Sequence, residues 1–487
     1  MRNVLISLCV IAIFMEVSGL IWSAKSDTPS DAFVKLSEGP GRLIENPLKN
    51  GYFLLVGFAA AANADPVQTG YDIWLEATSW RGNRDFNYEK PGRSELRVSI
   101  PAQEALPAWE SPEPLTALQP RDALFRTSMN RYAQLVKRYE QWLRMSFEDW
   151  GFARSASPRF EEVLISHRLY VAQGFAHSTK EGTDRLDRDL AKWRMVLAEA
   201  RTLPLKTMAV VMVDDDAALL SKLLSQSSVD KGILAAAPAV VEPLSSSEYS
   251  LRWPIRNEFI LGVSKDERAL AEKETYLGEA GSDSHRQWIA KTAGLHPDAF
   301  QKVVHPVSRT LFWLPVHTQR SWDTYATYYD ATIKASETIH SPLPKLSDIS
   351  KTSRRTLFEA MANPMEFEPD WEAFSHRLME TDARLRLVSL QLLLRKPSVV
   401  QHVPSRLAEA GPRYFDPFTG FPMLWSETQE RIYSVGKDGL DDGSDTSFDI
   451  SVPAVLAKPD TPITTGKPVS AKKTATSPRK ASASRRS

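Results

Sequence analysis

Four aspartates, Asp438, Asp441, Asp442 and Asp445, lie close together near the C-terminal end of the chain, and a fifth, Asp449, follows after three more residues. Carboxylates crowded this way repel one another unless water or a cation neutralises them. Gly436, Gly439 and Gly443 punctuate the run. Glycine lets the backbone curl through positive φ, so carbonyls and carboxylates can converge as a hard, oxygen-seeking ion such as Ca²⁺ requires. The chemistry open to the stretch is therefore cation binding, with a solvated acidic turn as the alternative.

Asp438 to Asp449 has the span of an EF-hand loop with Gly443 at its sixth place, but Leu440 occupies a ligand position and the residue at the twelfth place is Asp instead of the bidentate Glu. An EF-hand is excluded. Upstream, Asp416-Pro417 and Thr419-Gly420 form a turn signal. Pro422 to Trp425 and Arg431 to Val435, separated by polar Ser426 to Glu430, read as a β-hairpin. Tyr414 to Ile450 resembles the C-terminal region of the major pseudopilin of bacterial type II secretion systems. The elements that match are Asp416-Pro417, Gly420, Pro422, Ser434, Gly436, Asp438, Gly439 and Asp449-Ile450. The resemblance implies a Ca²⁺ site held by backbone carbonyls and by two aspartates, which fall on Asp438 and Asp449. It covers only this segment, and the chain begins MRNVLISLCVIAIFMEVSGLIW, unlike the start of a pseudopilin. A local module is implied, without the family's filament-forming role.

Other reactive residue types have structural readings. Lys206 sits among Leu203, Leu205, Met208 and Ala209 and reads as a snorkelling or acid-paired lysine, with a buried catalytic lysine of lowered pKa as the alternative. Asp214-Asp215-Asp216 has the donors of a metal site, but three adjacent acids cannot all face one way on a helix, so a helix start or break is the expected reading. His296, His305 and His317 lack metal-ligand spacing, and proline adjoins two of them. Tyr132, Tyr139, Trp142 and Trp193 read as core, and Asp382 with Arg386 as an i, i+4 ion pair. GxSxG, P-loop, GxGxxG, kinase and Cys/His ligand signatures are absent from the sequence. A carboxylate-pair hydrolase has no fixed sequence spacing, so enzymatic activity stays open.

The elements that must position these residues are mainly helices. The chain has 487 residues, 42% apolar and 25% charged, with zero formal net charge. That is an ordinary globular composition with no global field toward nucleic acid. Its one cysteine, Cys9, excludes an intramolecular disulfide. Asn50 is placed to cap a short helix at GYFLLVGFAAAA, and Asp65-Pro66 to start another. Residues 25–121 otherwise read as linker, short helices and a proline-rich loop, with a strand around Glu95 to Ile100. Apolar spacings of three and four predict helices over Asp122 to Leu143, Arg159 to His177, Asp184 to Arg201 and Leu205 to Ser225, a first helical lobe at 122–226. A hinge at 227–250 leads to a second lobe at 251–410. Its helices are expected at Asp266 to Leu277, Ser284 to Thr292, Trp322 to Ser336 and Pro369 to Arg395. The expected fold is thus mainly α, two lobes of antiparallel helical bundle or hairpin array, with a β-hairpin module at 411–455. Asn50 to Gly57, Thr202 to Met208 and Arg384 to Leu394 are similar to stretches of uncharacterised exported bacterial helical proteins.

Val4 to Trp22 carries one charge, Glu16, and follows Arg2, so residues 1–24 read as a membrane anchor with an inside N-terminus or as a cleaved signal peptide, with a buried core helix of a cytosolic protein as a third reading. The first two export the rest. The expected location is a single-pass inner-membrane protein with its bulk in the periplasm, or a periplasmic protein released by cleavage. The tail 456–487 carries eight Lys or Arg against one acid and reads as disordered, without aromatics to stack on bases. Two functions fit. One is binding or scaffolding of an envelope or secretion-apparatus partner by a membrane-anchored helical protein. The other is an envelope hydrolase with a carboxylate-lined cleft near Ser225 to Ser247.

Overall fold

The computed structural model describes residues 28–79, 123–153, 156–226, 241–264, 318–337, 343–345, 369–396 and 402–456. The anchor or signal segment, the strand expected at 95–100, the helices expected at 266–277 and 284–292, the three histidines His296, His305 and His317, and the basic tail after 456 lie outside them. Among the described residues no helix is long and apolar enough to cross a membrane.

The fold is mainly helical with one small antiparallel sheet. The first helices are α1 (Asp31–Ser37), α2 (Gly51–Val56) and α3 (Pro66–Ser79). Asn50 caps α2 as its position predicts: its Oδ1 accepts from Tyr52 N at 3.1 Å and from Glu148 N at 3.0 Å, while its Nδ2 donates to Glu148 O at 2.8 Å. One buried amide thus ends a turn, starts a helix and ties both to a segment about a hundred residues away. α2 and α3 approach closely at two glycines. A Cβ on Gly70 would lie 1.8 Å from Phe53 O, and one on Gly57 2.0 Å from Pro66 O.

The bundle follows as α4 (Ala123–Leu143), α5 (Phe160–His177), α6 (Thr179–Glu199) and α7 (Leu203–Leu224). The first of these bends at Tyr132, whose φ of −106° and ψ of 15° are not helical. Short α8 (Ser246–Tyr249) has a capping box between Ser245 and Glu248. α9 (252–264) and α10 (Thr318–Ser336) come next, then the long α11 (Trp371–Leu394) and α12 (Val403–Glu409). Each of the long helices predicted within the described residues is present, with ends shifted by a few residues.

α11 packs along α7, and a single apolar cluster draws on α2 to α7 as well as on α10 and α11. The described parts of the two expected lobes therefore share one core instead of each enclosing its own. The reason is visible in α11, which carries two apolar stripes. Leu378, Leu385, Val388 and Leu392 face the bundle. Ala383, Leu387, Leu390 and Leu394 face a second cluster with Val403, Leu407, Met423, Ile432 and Val452. Apolar residues at spacings of three and four on two faces of one helix demand burial on both sides.

The second face holds the C-terminal module. β1 (Leu424–Ser426) and β2 (Arg431–Ser434) form the expected hairpin, and β3 (Ile450–Pro453) joins to give the order β1-β2-β3, all antiparallel. The register pairs Trp425 with Ile432 and Ile432 with Val452. The free carbonyls of β3 are covered: Gln391 Nε2 donates to Pro453 O at 2.6 Å, and Arg431 Nη2 to Ser451 O at 2.9 Å. Such covers blunt an edge strand against further pairing.

Candidate functional site

The structure offers two places where charged groups gather, one expected to take an ion and one expected to mark a helix end. The first is the loop between β2 and β3. Asp416, buried, pins its base: Oδ1 accepts from Phe418 N and Ser434 Oγ, each at 2.9 Å, and Oδ2 from Val435 N at 3.2 Å. Burial pushes this carboxyl above its usual range against those hydrogen bonds. Gly436, Gly439 and Gly443 all have positive φ, near 70°. At Gly436 a Cβ would sit 2.7 Å from Phe448 O, so only glycine lets the two ends of the loop meet. Asp438, Asp441 and Asp445 each accept from the backbone amide two residues on, at 3.2, 3.0 and 2.9 Å. They shape the loop as Asx turns.

Asp449 differs from these three. It is buried, its Oδ2 accepts from Ser444 N at 2.8 Å, and its Oδ1 has no hydrogen-bond partner. Burial pushes its carboxyl up. The Ser444 and Asp442 amides pull it down, and the Asp442 and Asp441 charges add to the rise. Asp438 is exposed. The structure therefore brings one of the two predicted ligands into the fold and leaves the other on its rim. Three carboxylates do not converge here, so backbone carbonyls must supply the remaining ligands. The donor set is hard oxygen throughout, and an orphaned buried carboxylate oxygen beside two further acids suits Ca²⁺. Asp438 and Asp449 would hold the ion, whose chemistry would be to neutralise and stiffen the loop.

The other place is inside the bundle. Asp214, Asp215 and Asp216 stand in the middle of α7, all buried, where a helix start or break was expected. Three acids on one helix do face three ways, but each way meets a neighbouring helix. Asp214 Oδ1 lies 2.8 Å from Arg384 Nη1 on α11. Asp215 takes a two-pronged contact from Arg168 on α5, at 2.8 and 2.9 Å. Asp216 turns toward His167 of α5, its Oδ1 3.7 Å from Nε2.

Around His167 the groups are packed in sequence. Its Nδ1 is 2.5 Å from Asp189 Oδ2 on α6. Asp189 Oδ1 accepts from Tyr139 OH at 2.6 Å, and that hydroxyl accepts from Trp193 Nε1 at 2.6 Å. Burial lowers the imidazole's proton affinity, but the Asp189 and Asp216 charges outweigh it and hold it well above 6.5. Asp216 is held well above the usual carboxylate range, first by burial and then by the Asp189 charge. Asp215 goes the other way, because His167 and Arg168 outweigh its burial. Tyr132, Tyr139, Trp142 and Trp193 are buried as predicted. Yet Tyr139 and Trp193 also serve this polar chain, which periodicity alone could not announce.

Lys206 is fully buried, where a snorkelling or acid-paired lysine was expected. Its Nζ donates to Leu197 O at 2.9 Å and Glu248 O at 2.8 Å. Burial brings it down to about 7 against the pull of Glu248. Asp382 and Arg386 form the predicted pair, at 2.6 Å.

A groove of about 630 Å³ runs between α7, α11 and the β3 side of the module. Lys222, Arg384, Arg431 and Lys437 stand on its walls with Glu380 and Asp449. It reaches Ser225, but residues 227–240 of the expected hinge lie outside the described residues. Compared with family models, curated proteins and solved structures, the chain finds no match.

Proposed function

We propose that this chain is an exported, membrane-anchored helical protein of the cell envelope that works by binding or scaffolding a partner. Residues 1–24 hold it in the inner membrane as a single pass, with the bulk of the chain in the periplasm. The C-terminal pseudopilin-like module is its recognition unit, stiffened by Ca²⁺ through Asp438 and Asp449. The observation that carries this reading is the groove at the junction of bundle and module. Its walls come from both, and Lys222 and Lys437, beside Arg384 held by Asp214 and Arg431 held by Ser451, suit an acidic segment of an envelope or secretion-apparatus protein. The covered edge of β3 directs such a partner to side-chain recognition instead of strand addition.

The test is crosslinking in intact cells with the full-length chain. A defined adduct should form with wild type, be lost in Lys222→Glu/Lys437→Glu and on deletion of 411–455, and persist in Arg126→Glu, a change on exposed α4 surface. An adduct indifferent to the groove reversal, or absent from wild type, removes the proposal. The ion is tested by thermal midpoint in millimolar calcium and in chelator. A rise in wild type that is missing from Asp438→Ala and from Asp449→Ala is expected, since a ligand bound only by the native state stabilises it. Coincident midpoints return the loop to a solvated turn.

A further inference from the structure

Among the described residues, one grouping of histidine and acid donors is close enough to share an ion: His167, Asp189 and Asp216, all three buried and with ligand atoms within 4.8 Å of one another. It does not overlap the C-terminal loop. Two of its groups are incompletely served. His167 Nε2 has no hydrogen-bond partner, and neither oxygen of Asp216 has one, although both residues are 0% exposed. Buried polar atoms are almost always paired, so an orphaned nitrogen facing an orphaned carboxylate asks for a third body between them.

The spacing suits a metal ion. Nε2 is 3.7 Å from Asp216 Oδ1 and 3.3 Å from Asp215 Oδ2, the latter off the direction of a hydrogen bond. Two ligands at bond lengths of about 2.0–2.1 Å around a tetrahedral ion stand roughly 3.3–3.4 Å apart. The gap to Asp216 lies close to that value. The remaining contacts are those that orient a ligating histidine. Asp189 accepts from His167 Nδ1, which fixes the tautomer and aims Nε2 at Asp216. Tyr139 in turn fixes Asp189.

We propose that His167 Nε2 and Asp216 hold a divalent first-row transition ion, of the zinc or manganese class, between α5 and α7, with Asp189 as the carboxylate that orients the histidine and Asp215, held by Arg168, as a neighbouring charge. The imidazole and carboxylate donors suit such ions. Charge and protons balance: binding releases the proton of His167 Nε2 and that of Asp216, and the ion's two charges replace them. Arg168 continues to offset Asp215. Because all donors are buried, the ion enters as the chain folds and acts as a staple among three helices.

The experiment uses the full chain, produced with added Zn²⁺ or Mn²⁺ and also unfolded in chelator and refolded with Zn²⁺ or with Co²⁺ as a spectroscopic probe. About one equivalent of metal should stay with the folded protein through a brief chelator wash and leave on unfolding. Cobalt should give the visible absorption of a low-coordinate site. Asp216→Asn and His167→Gln should retain about a tenth of that metal or less, whereas Asp438→Ala and Asp449→Ala retain all of it. Wild type that holds no metal after either preparation overturns the proposal, and this readout does not depend on any variant folding. So does an Asp216→Asn protein that matches wild type in thermal midpoint with and without metal. Asp216 would then be a neutral acid.

Discussion

Replacing Lys206 by Met isolates a buried amine whose pH dependence can be read directly. The lysine's ordinary value of 10.5 applies to the unfolded chain, and burial brings the folded value to about 7. Between these two values the unfolded state holds a proton that the native state lacks. Unfolding stability contributed by this residue therefore rises with pH, by about 1.4 kcal/mol per pH unit, and the full displacement amounts to roughly 5 kcal/mol. Lys206→Met removes the slope and leaves Leu197 O and Glu248 O unpaired. That adds a loss of about 1–3 kcal/mol for each carbonyl that does not vary with pH. Urea unfolding of both proteins at pH 7.5, 8.5 and 9.5 separates the two contributions, because other titrating groups cancel in the difference. Wild type should gain roughly 2.5 kcal/mol on the variant between pH 7.5 and 9.5. A difference that stays constant over that range refutes the reasoning. It would mean that the two carbonyls and Glu248 solvate the ammonium well enough to keep it charged at full burial.

Asp382 accepts from Leu244 N at 2.7 Å, Tyr249 OH at 2.8 Å and Arg386 Nε at 2.7 Å, all in the interior. Asp382→Ala should cost about 3–5 kcal/mol in urea unfolding, because it strands a half-desolvated guanidinium. Much of that should return in Asp382→Ala/Arg386→Met. Gly70→Ala places a methyl group 1.8 Å from Phe53 O and should cost at least about 1–3 kcal/mol. A thermal midpoint within a degree of wild type would show that α2 and α3 separate easily.

The helices and the hairpin were legible because they follow from periodicity and turn chemistry, both local. Asn50 as a cap, the α5 and α7 spans and the Asp382 pair are read from residues a few places apart. The acidic triplet was not legible for the opposite reason. The premise that Asp214 to Asp216 face three ways holds. The inference of a helix end fails because α7 is surrounded, and its partners Arg168 and Arg384 lie 46 residues before Asp214 and 170 after it. The available hint was His167-Arg168 inside an otherwise apolar helix, next to Ser166 and Tyr170. Polar residues there must find partners, but their positions in sequence are set by packing across the bundle. The shared core has the same origin. The two stripes on α11 show that it is covered on both sides, and nothing local says by what.

Gln391 on α11 ties Pro453 O to the sheet side and reaches toward Ser221 O of α7, 170 residues earlier. A chain emerging from its N-terminal end at about 5–20 residues per second has α7 in hand for on the order of 10–30 s before the helix that covers it appears. During that interval the apolar face of α7, and the charges it carries, await their cover. The face of α7 that packs on α11 is therefore completed only once residues 371–394 have been made.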